Sequence, residues 1–268
     1  MNGVFRFKIA IQTIKDNWRA TIIITLLFMG MAVMYSGMYP SFKEPLVEMM
    51  DSGFADSFSF FKGAEDMASY VGFLNLELYQ IFWLMILAIM LGFIAASILS
   101  KEIEGNTIDL LMSNPISRKQ IIFEKFIGLL PMFLIINLGV MFAVMGITVA
   151  IGEELNFANL ALVHIVSIPY FLAVISIGLL VSVILNEKMK ASIVMISVIV
   201  GMYVIESLSQ MAPDYEAIGY FSLNHYFNPY DALKFGNVDV SGVLVLIAIA
   251  VVCLAASLIY FEHKDIQV

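Results

Sequence analysis

The sequence predicts an all-α membrane protein: six transmembrane helices, an N-terminal interfacial amphipathic helix, and a short helix in the loop between spans two and three. Hydrophobic residues make up 61% of the 268-residue chain and charged residues 13%, which leaves too little polar surface to cover a water-soluble fold. The mean hydropathy of +0.92 agrees. The apolar residues are gathered into continuous runs without the alternation that a closed barrel requires.

A bilayer core of about 30 Å takes about 20 helical residues. Runs of that length fall at Ala20–Tyr39, Leu78–Ser100, Ile127–Ile151, Leu160–Leu185, Ala191–Met211 and Val240–Phe261. Residues 1–268 therefore read as a single transmembrane domain, with an interfacial leader at 1–19 and a cytoplasmic loop at 101–126. Segments 40–77 and 212–239 are expected on the extracytoplasmic side, as short amphipathic pieces over the outer leaflet.

Orientation follows from Lys and Arg. Arg6, Lys8, Lys15, Arg19, Lys101, Arg118, Lys119, Lys125, Lys188, Lys190 and Lys264 all fall on one side of the six spans. The other side holds Lys43, Lys62 and Lys234 beside a majority of the acids, among them Glu44, Asp66, Glu153 and Asp231. The positive-inside rule then predicts a multi-pass protein of the cell membrane with both termini cytoplasmic.

In the leader, Val4, Phe7, Ile11, Ile14 and Trp18 recur at steps of three and four. They form one apolar stripe if Val4–Arg19 is helical, with Arg6, Lys8, Lys15 and Arg19 off it. Such a helix is expected to lie in the cytoplasmic interface with its stripe toward the acyl chains. No small-x-small cleavage site follows Met38 and Tyr39, so the run after the leader reads as a span and not as a signal peptide.

Several functions are argued against by composition. A net charge of −8 does not suit nucleic acid, which needs basic patches. A single cysteine, Cys253, allows no intrachain disulfide and no thiolate cluster. Met29, Met31, Met34 and Met38 come without His or Cys beside them and read as apolar filler, so no metal site is assigned. His164 and His225 are expected near the outer surface, and Glu206 is expected to snorkel from the outer end of span five.

The loop between spans two and three, "KEIEGNTIDLLMSNPISRKQIIFEK", is the most densely patterned polar stretch. Gly105 interrupts the helix leaving span two, and Thr107 is placed to cap a short helix through Leu110, Leu111 and Met112. Asn114-Pro115 stops that helix. Ser117 and Gln120, with the S-x-x-Q spacing of a capping box, start the next one. The product is a cytoplasmic knob whose Ile108, Leu111 and Met112 suit a hydrophobic groove, with Glu102, Glu104, Arg118 and Lys119 as a charged rim.

This stretch resembles the signature of ABC-2 type permeases, an acidic pair and Gly-Thr-hydrophobic-Asp/Glu-Leu-Leu running into a Pro-hydrophobic-Ser-Arg turn and a later Lys. Glu102, Glu104, Gly105, Thr107, Asp109, Leu110, Leu111, Pro115, Ser117, Arg118 and Lys125 match, with Asn106 intervening between Gly105 and Thr107. "HYFNPYDALKFG" and the closing "FEHKDI" are similar to the same family.

The resemblance implies the transmembrane subunit of an ABC exporter: two copies form the substrate path, and a separate ABC-type ATPase subunit binds beneath each. It also implies that the short helix is a coupling helix seated in the ATPase, contacted through Glu102, Glu104, Thr107, Ile108, Asp109, Leu110, Leu111, Met112 and Arg118. No cofactor is then expected on this chain, with ATP and Mg on the partner, and the chain is not itself an enzyme. The absence of a G-x-x-x-x-G-K-[ST] loop agrees. Membrane lipid, and an accessory extracytoplasmic protein, complete the expected partners. Two other readings stay open from the residues alone, a secondary transporter and a membrane assembly factor, neither with an ATPase partner. The spans are too uniformly apolar to name a substrate.

Overall fold

A computed structural model describes residues 7–51, 60–108, 116–211 and 213–264. Among these there is no strand, and six helices are long and apolar enough to cross a membrane. The first, α1 (Lys8–Asp51), has 44 residues and is about 66 Å long at about 1.5 Å per residue. The second crossing is composite: α2 (Tyr70–Leu74), a π-helical run (Asn75–Leu87) and α3 (Ala88–Glu104) follow one another without a gap. The others are α4 (Arg118–Ile151), α5 (Phe157–Ile184), α6 (Lys188–Met211) and α8 (Val240–His263). Short 3-10 turns at Ala64–Asp66, Pro213–Phe221 and Leu223–Tyr226, with helix α7 (Pro229–Phe235), cover one end.

The second crossing and α5 form the buried centre. Helix α5 packs on α3 and α8, α3 also packs on α6, and α1 lies along α4. The outer helices turn apolar residues such as Ile23, Leu26, Phe142 and Val252 away from the protein. In a bilayer those faces meet acyl chains, and polar groups are kept inside or at the ends.

Close approach between helices rests on small residues, as expected where lipid is as apolar as the packed side chains. A Cβ added at Gly178 of α5 would lie 2.8 Å from Ala95 Cβ and 3.0 Å from the Gly92 carbonyl oxygen. Ser182, one turn on, accepts from the backbone N–H groups of Leu99 and Ser100 at 2.8 and 3.1 Å and pins the same seam. Gly178→Leu is therefore expected to destabilise the bundle by about 1–3 kcal/mol through overpacking. Thermal unfolding of the detergent-purified variant checks this, with an unchanged midpoint as the contrary result.

The leader is not set apart from the first span. Helix α1 runs unbroken through Arg19 and Ala20, so it does not lie as a separate piece in the interface. The reason is local: no proline or glycine interrupts it there, and a spine of side chains joins the two parts. Asn17 donates to the Thr13 carbonyl, Thr21 to Asn17 and Thr25 to Thr21, all along one face. That face meets α4, where Gly128 and Gly139 make room for Thr13 and Thr25. The stripe of Phe7, Ile11, Ile14 and Trp18 is exposed on the outward side, while Val4 lies outside the described residues.

Segment 40–77 also departs from its expected form. Helix α1 continues through Pro40 and Pro45 to Asp51, and the second crossing begins at Tyr70 instead of Leu78. Proline forfeits one backbone bond, and the rod survives because tertiary contacts hold it. The Tyr39 hydroxyl donates to the Ala68 carbonyl at 2.9 Å, and Leu46 is buried.

Candidate functional site

At the end of the bundle where α1 starts and α8 stops, all six long helices begin or end against one another. Their ends leave N–H or C=O groups without intrahelical partners, and the bound partial charges favour anions at helix starts and cations at helix ends. The chain meets that need with side chains from neighbouring helices. Glu124 of α4, 2% exposed, accepts from the N–H groups of Ile9 and Ala10 at the start of α1, at 2.9 and 3.3 Å. Glu104 of α3 accepts from Lys188 N at the start of α6 at 2.8 Å. Lys264 Nζ donates to the Val183 and Ile184 carbonyls at the end of α5. Arg118 donates to the Phe261 and Lys264 carbonyls at the end of α8, at 3.3 and 2.6 Å.

One ion pair sits at the centre of this collar. Lys125 Nζ lies 2.6 Å from Glu102 Oε1, with the lysine side chain 4% and the glutamate 18% exposed. It ties the last turn of α3 to the first turns of α4, the two helices that deliver the loop 105–117. Farther out, Lys119 and Glu262 pair at 2.8 Å. Burial among the helix ends pushes the Lys264 ammonium below its ordinary range.

The loop itself departs from α3 as its sequence suggests. The helix ends at Glu104, Gly105 follows, and Asn106 takes a left-handed conformation with φ 51°. Ser117 Oγ accepts from Gln120 N at 3.2 Å and opens α4. The Gln120 side chain does not return to Ser117; it donates to Glu124 and joins the collar. Thr107 turns its hydroxyl back toward the Glu102 carbonyl at 3.3 Å.

Ile108 departs from expectation. At 1% exposed, it is packed into this chain's own core and is not available to a partner groove. Arg118, expected in a charged rim, is engaged with the end of α8, and Glu104 with the start of α6. Asp109, Leu110, Leu111 and Met112, the centre of the expected contact, lie outside the described residues.

Losing the Glu124 carboxylate should release α1 from the collar. Glu124→Ala strips a charged acceptor from two backbone donors, about 1.5–3 kcal/mol, whereas Glu124→Gln keeps an acceptor and should cost less. Amide exchange at Ile9, Ala10 and Ile11 reads this directly; unchanged protection in the alanine variant would show that the cap holds nothing.

Two polar groups predicted near the surface are found inside, His164 and Glu206. His164 is 3% exposed. It contacts Tyr79 Oη at 3.1 Å and Asn137 Oδ1, while Asn137 Nδ2 donates to the His164 carbonyl at 2.9 Å. Trp83 stands edge-on to its ring at a centroid distance of 5.2 Å. The π-helical winding brings Tyr79 and Trp83 to this face, and it is invisible in an apolar run. Glu206 does not snorkel: its side chain is 10% exposed and 2.9 Å from Lys62. His225, half-buried, has its Nδ1 3.4 Å from the other Glu206 oxygen without hydrogen-bond alignment.

The collar joins the ends of the helices in a bundle of six candidate crossings. The model of the ABC-2 family transporter proteins matches residues 11–266. The chain belongs to that family. Among curated proteins, none is significantly similar to it. As an ABC-2 family member it is the membrane permease component of an ABC-type system, and its family match takes in the charged side chains of the collar.

Proposed function

We propose that this ABC-2 protein is the transmembrane subunit of an exporter, working as a homodimer driven by a separate ABC-type ATPase that binds the loop 107–113 on the cytoplasmic side. ATP and Mg belong to that partner. The observation that carries the reading is the buried Glu102–Lys125 pair: the loop is held between two helices whose ends are locked to each other and, through the capping side chains, to α1, α5, α6 and α8. Displacing the loop therefore moves helix ends as a unit, because the loop has no slack at either root.

Placing this end in the cytoplasm follows from the Lys and Arg excess, and puts both termini there as well. Two copies enclose a path that six helices alone do not, since the buried centre of one chain is filled by side chains of α3 and α5. The His164 cluster supports the same reading over that of a secondary transporter. Its ring nitrogens and carbonyl are engaged with Tyr79, Asn137 and Ser167 inside one chain, which favours a structural role over a proton relay.

Purification in a mild detergent tests the assignment. A P-loop ATPase should co-elute in stoichiometric amounts, in a particle whose mass corresponds to two copies of each subunit. Recovery of the chain without any nucleotide hydrolase, while it still moves a solute, would contradict it.

A further inference from the structure

Where the end of α5 meets the end of α8, the surface carries an open groove of about 550 Å³, lined by Ile184, Asn186, Ile259, Tyr260, His263 and Lys264. That volume falls among those of small-molecule sites, about 300–1,000 Å³. The lining divides by chemistry. Ile184 and Ile259 are 45% and 58% exposed and belong to membrane crossings, so this side of the groove faces acyl chains. Asn186, in the turn before α6, and His263 and Lys264, at the end of α8, form the polar side.

The charge of that side is of one sign. Among the described residues no carboxylate lines the groove, and the two acids nearest in sequence are matched elsewhere, Glu187 with Lys190 at 2.6 Å and Glu262 with Lys119 at 2.8 Å. Carbonyls at helix ends would by themselves repel an anion. Here they are covered: Lys264 Nζ donates to the Val183 and Ile184 carbonyls, and Arg118 to those of Phe261 and Lys264.

Lys264 keeps capacity for a ligand. An ammonium has three N–H donors, and the α5 carbonyls take two. The Tyr260 ring holds the ammonium in place, 5.9 Å from its centroid. An anion at the third donor would favour the charged form, which burial disfavours. Asn186 adds amide N–H donors from the opposite helix end. A free phosphate would satisfy these groups and leave Ile184 and Ile259 uncovered, whereas a phospholipid covers both sides of the groove. With no carboxylate present, a zwitterionic headgroup finds a partner for its phosphate and none for its ammonium.

We propose that this groove binds the headgroup phosphate of an anionic phospholipid from the adjoining leaflet, through Lys264 and Asn186, with the acyl chains along Ile184 and Ile259. Lys264 then has two tasks, closing the end of α5 and fixing a lipid against the collar. The proposal needs the membrane crossings alone, and neither the ATPase partner nor the direction of transport enters it.

The test puts a tryptophan in the groove, Tyr260→Trp, in a Trp18→Phe background of the full chain, reconstituted in phosphatidylcholine vesicles. The other tryptophan, Trp83, is 0% exposed and shielded from contact quenching. Acyl-brominated phosphatidylglycerol or acyl-brominated phosphatidylcholine is added at equal mole fraction, and quenching of the reporter gives their relative association. Phosphatidylglycerol should be favoured by about fivefold, the effect of one lysine near an anionic headgroup. Asn186→Glu, at an exposed turn outside the helix caps, should abolish the preference. Lys264→Gln should abolish it too and Lys264→Arg retain it; if the glutamine variant does not fold, Asn186→Glu still decides. Lys119→Gln, which removes a cation at the same end but outside the groove, should leave the preference intact. Excess inorganic phosphate should not relieve the quenching. Equal quenching by the two lipids, a preference that survives Asn186→Glu, an equal loss in Lys119→Gln, or relief by inorganic phosphate would overturn the proposal.

Discussion

Lys125→Ala is expected to be the most damaging single change at the collar, lowering stability by about 3–5 kcal/mol. The lysine is nearly fully buried, and its removal leaves Glu102 without a cation; Glu102 Oε2 already has no hydrogen-bond partner among the described residues. A carboxylate in that position is largely desolvated and no longer neutralised, which is why deleting one partner of a buried pair costs more than the pair itself contributes. The double variant Glu102→Leu, Lys125→Met separates these terms. It replaces both charges with apolar groups of similar volume and should recover most of the loss. Thermal midpoints of the purified proteins in one detergent decide it. A single variant as stable as the natural chain, or a double variant as poor as the single, would show that the pair does not hold α3 to α4.

If the pair is the root of the loop, its two variants should also differ in function. The stable double variant would keep the fold while leaving the roots of α3 and α4 free of their charge lock. Folding and coupling then become separable properties of the same two residues.

Much of the fold was legible because its cause is linear. Apolar runs long enough to cross a bilayer mark the crossings, and the ends at Gly105 and Ser117 follow from local chain chemistry. What escaped depends on partners distant in sequence. Nothing around Leu78 announces π-helical winding, since the run is apolar whichever way it winds. Glu206 reads as a snorkelling acid until Lys62 and His225 are brought to it, and His164 reads as a surface histidine until Tyr79 and Asn137 enclose it.

The collar shows the same division. Glu102, Glu104, Arg118 and Lys125 stand out in the sequence, and the family resemblance gathers them into one motif. Their geometry gives all four work inside the chain, capping α6, capping α8 and joining α3 to α4. Glu124 belongs with them and carries no signal of its own, because its partners are backbone N–H groups of Ile9 and Ala10, more than a hundred residues earlier. A glutamate at the entrance to an apolar span, four residues after Gln120, is the one hint available.

With Ile108 withdrawn into the core and Glu104 and Arg118 bound to helix ends, the apolar contact proposed for the ATPase narrows to Leu110, Leu111 and Met112. The most direct test of the coupling claim is therefore Leu111→Asp, read by co-purification with the ATPase and by substrate-stimulated ATP hydrolysis. An unpaired carboxylate carried into a hydrophobic groove costs several kcal/mol, roughly a hundredfold or more in affinity. The collar's hydrogen bonds described above are all made by other residues, so membrane insertion, dimer formation and thermal midpoint should stay near those of the natural chain. The account predicts a folded permease that fails to retain its ATPase and fails to stimulate it; a Leu111→Asp protein that co-purifies in full stoichiometry with undiminished stimulated hydrolysis would contradict it.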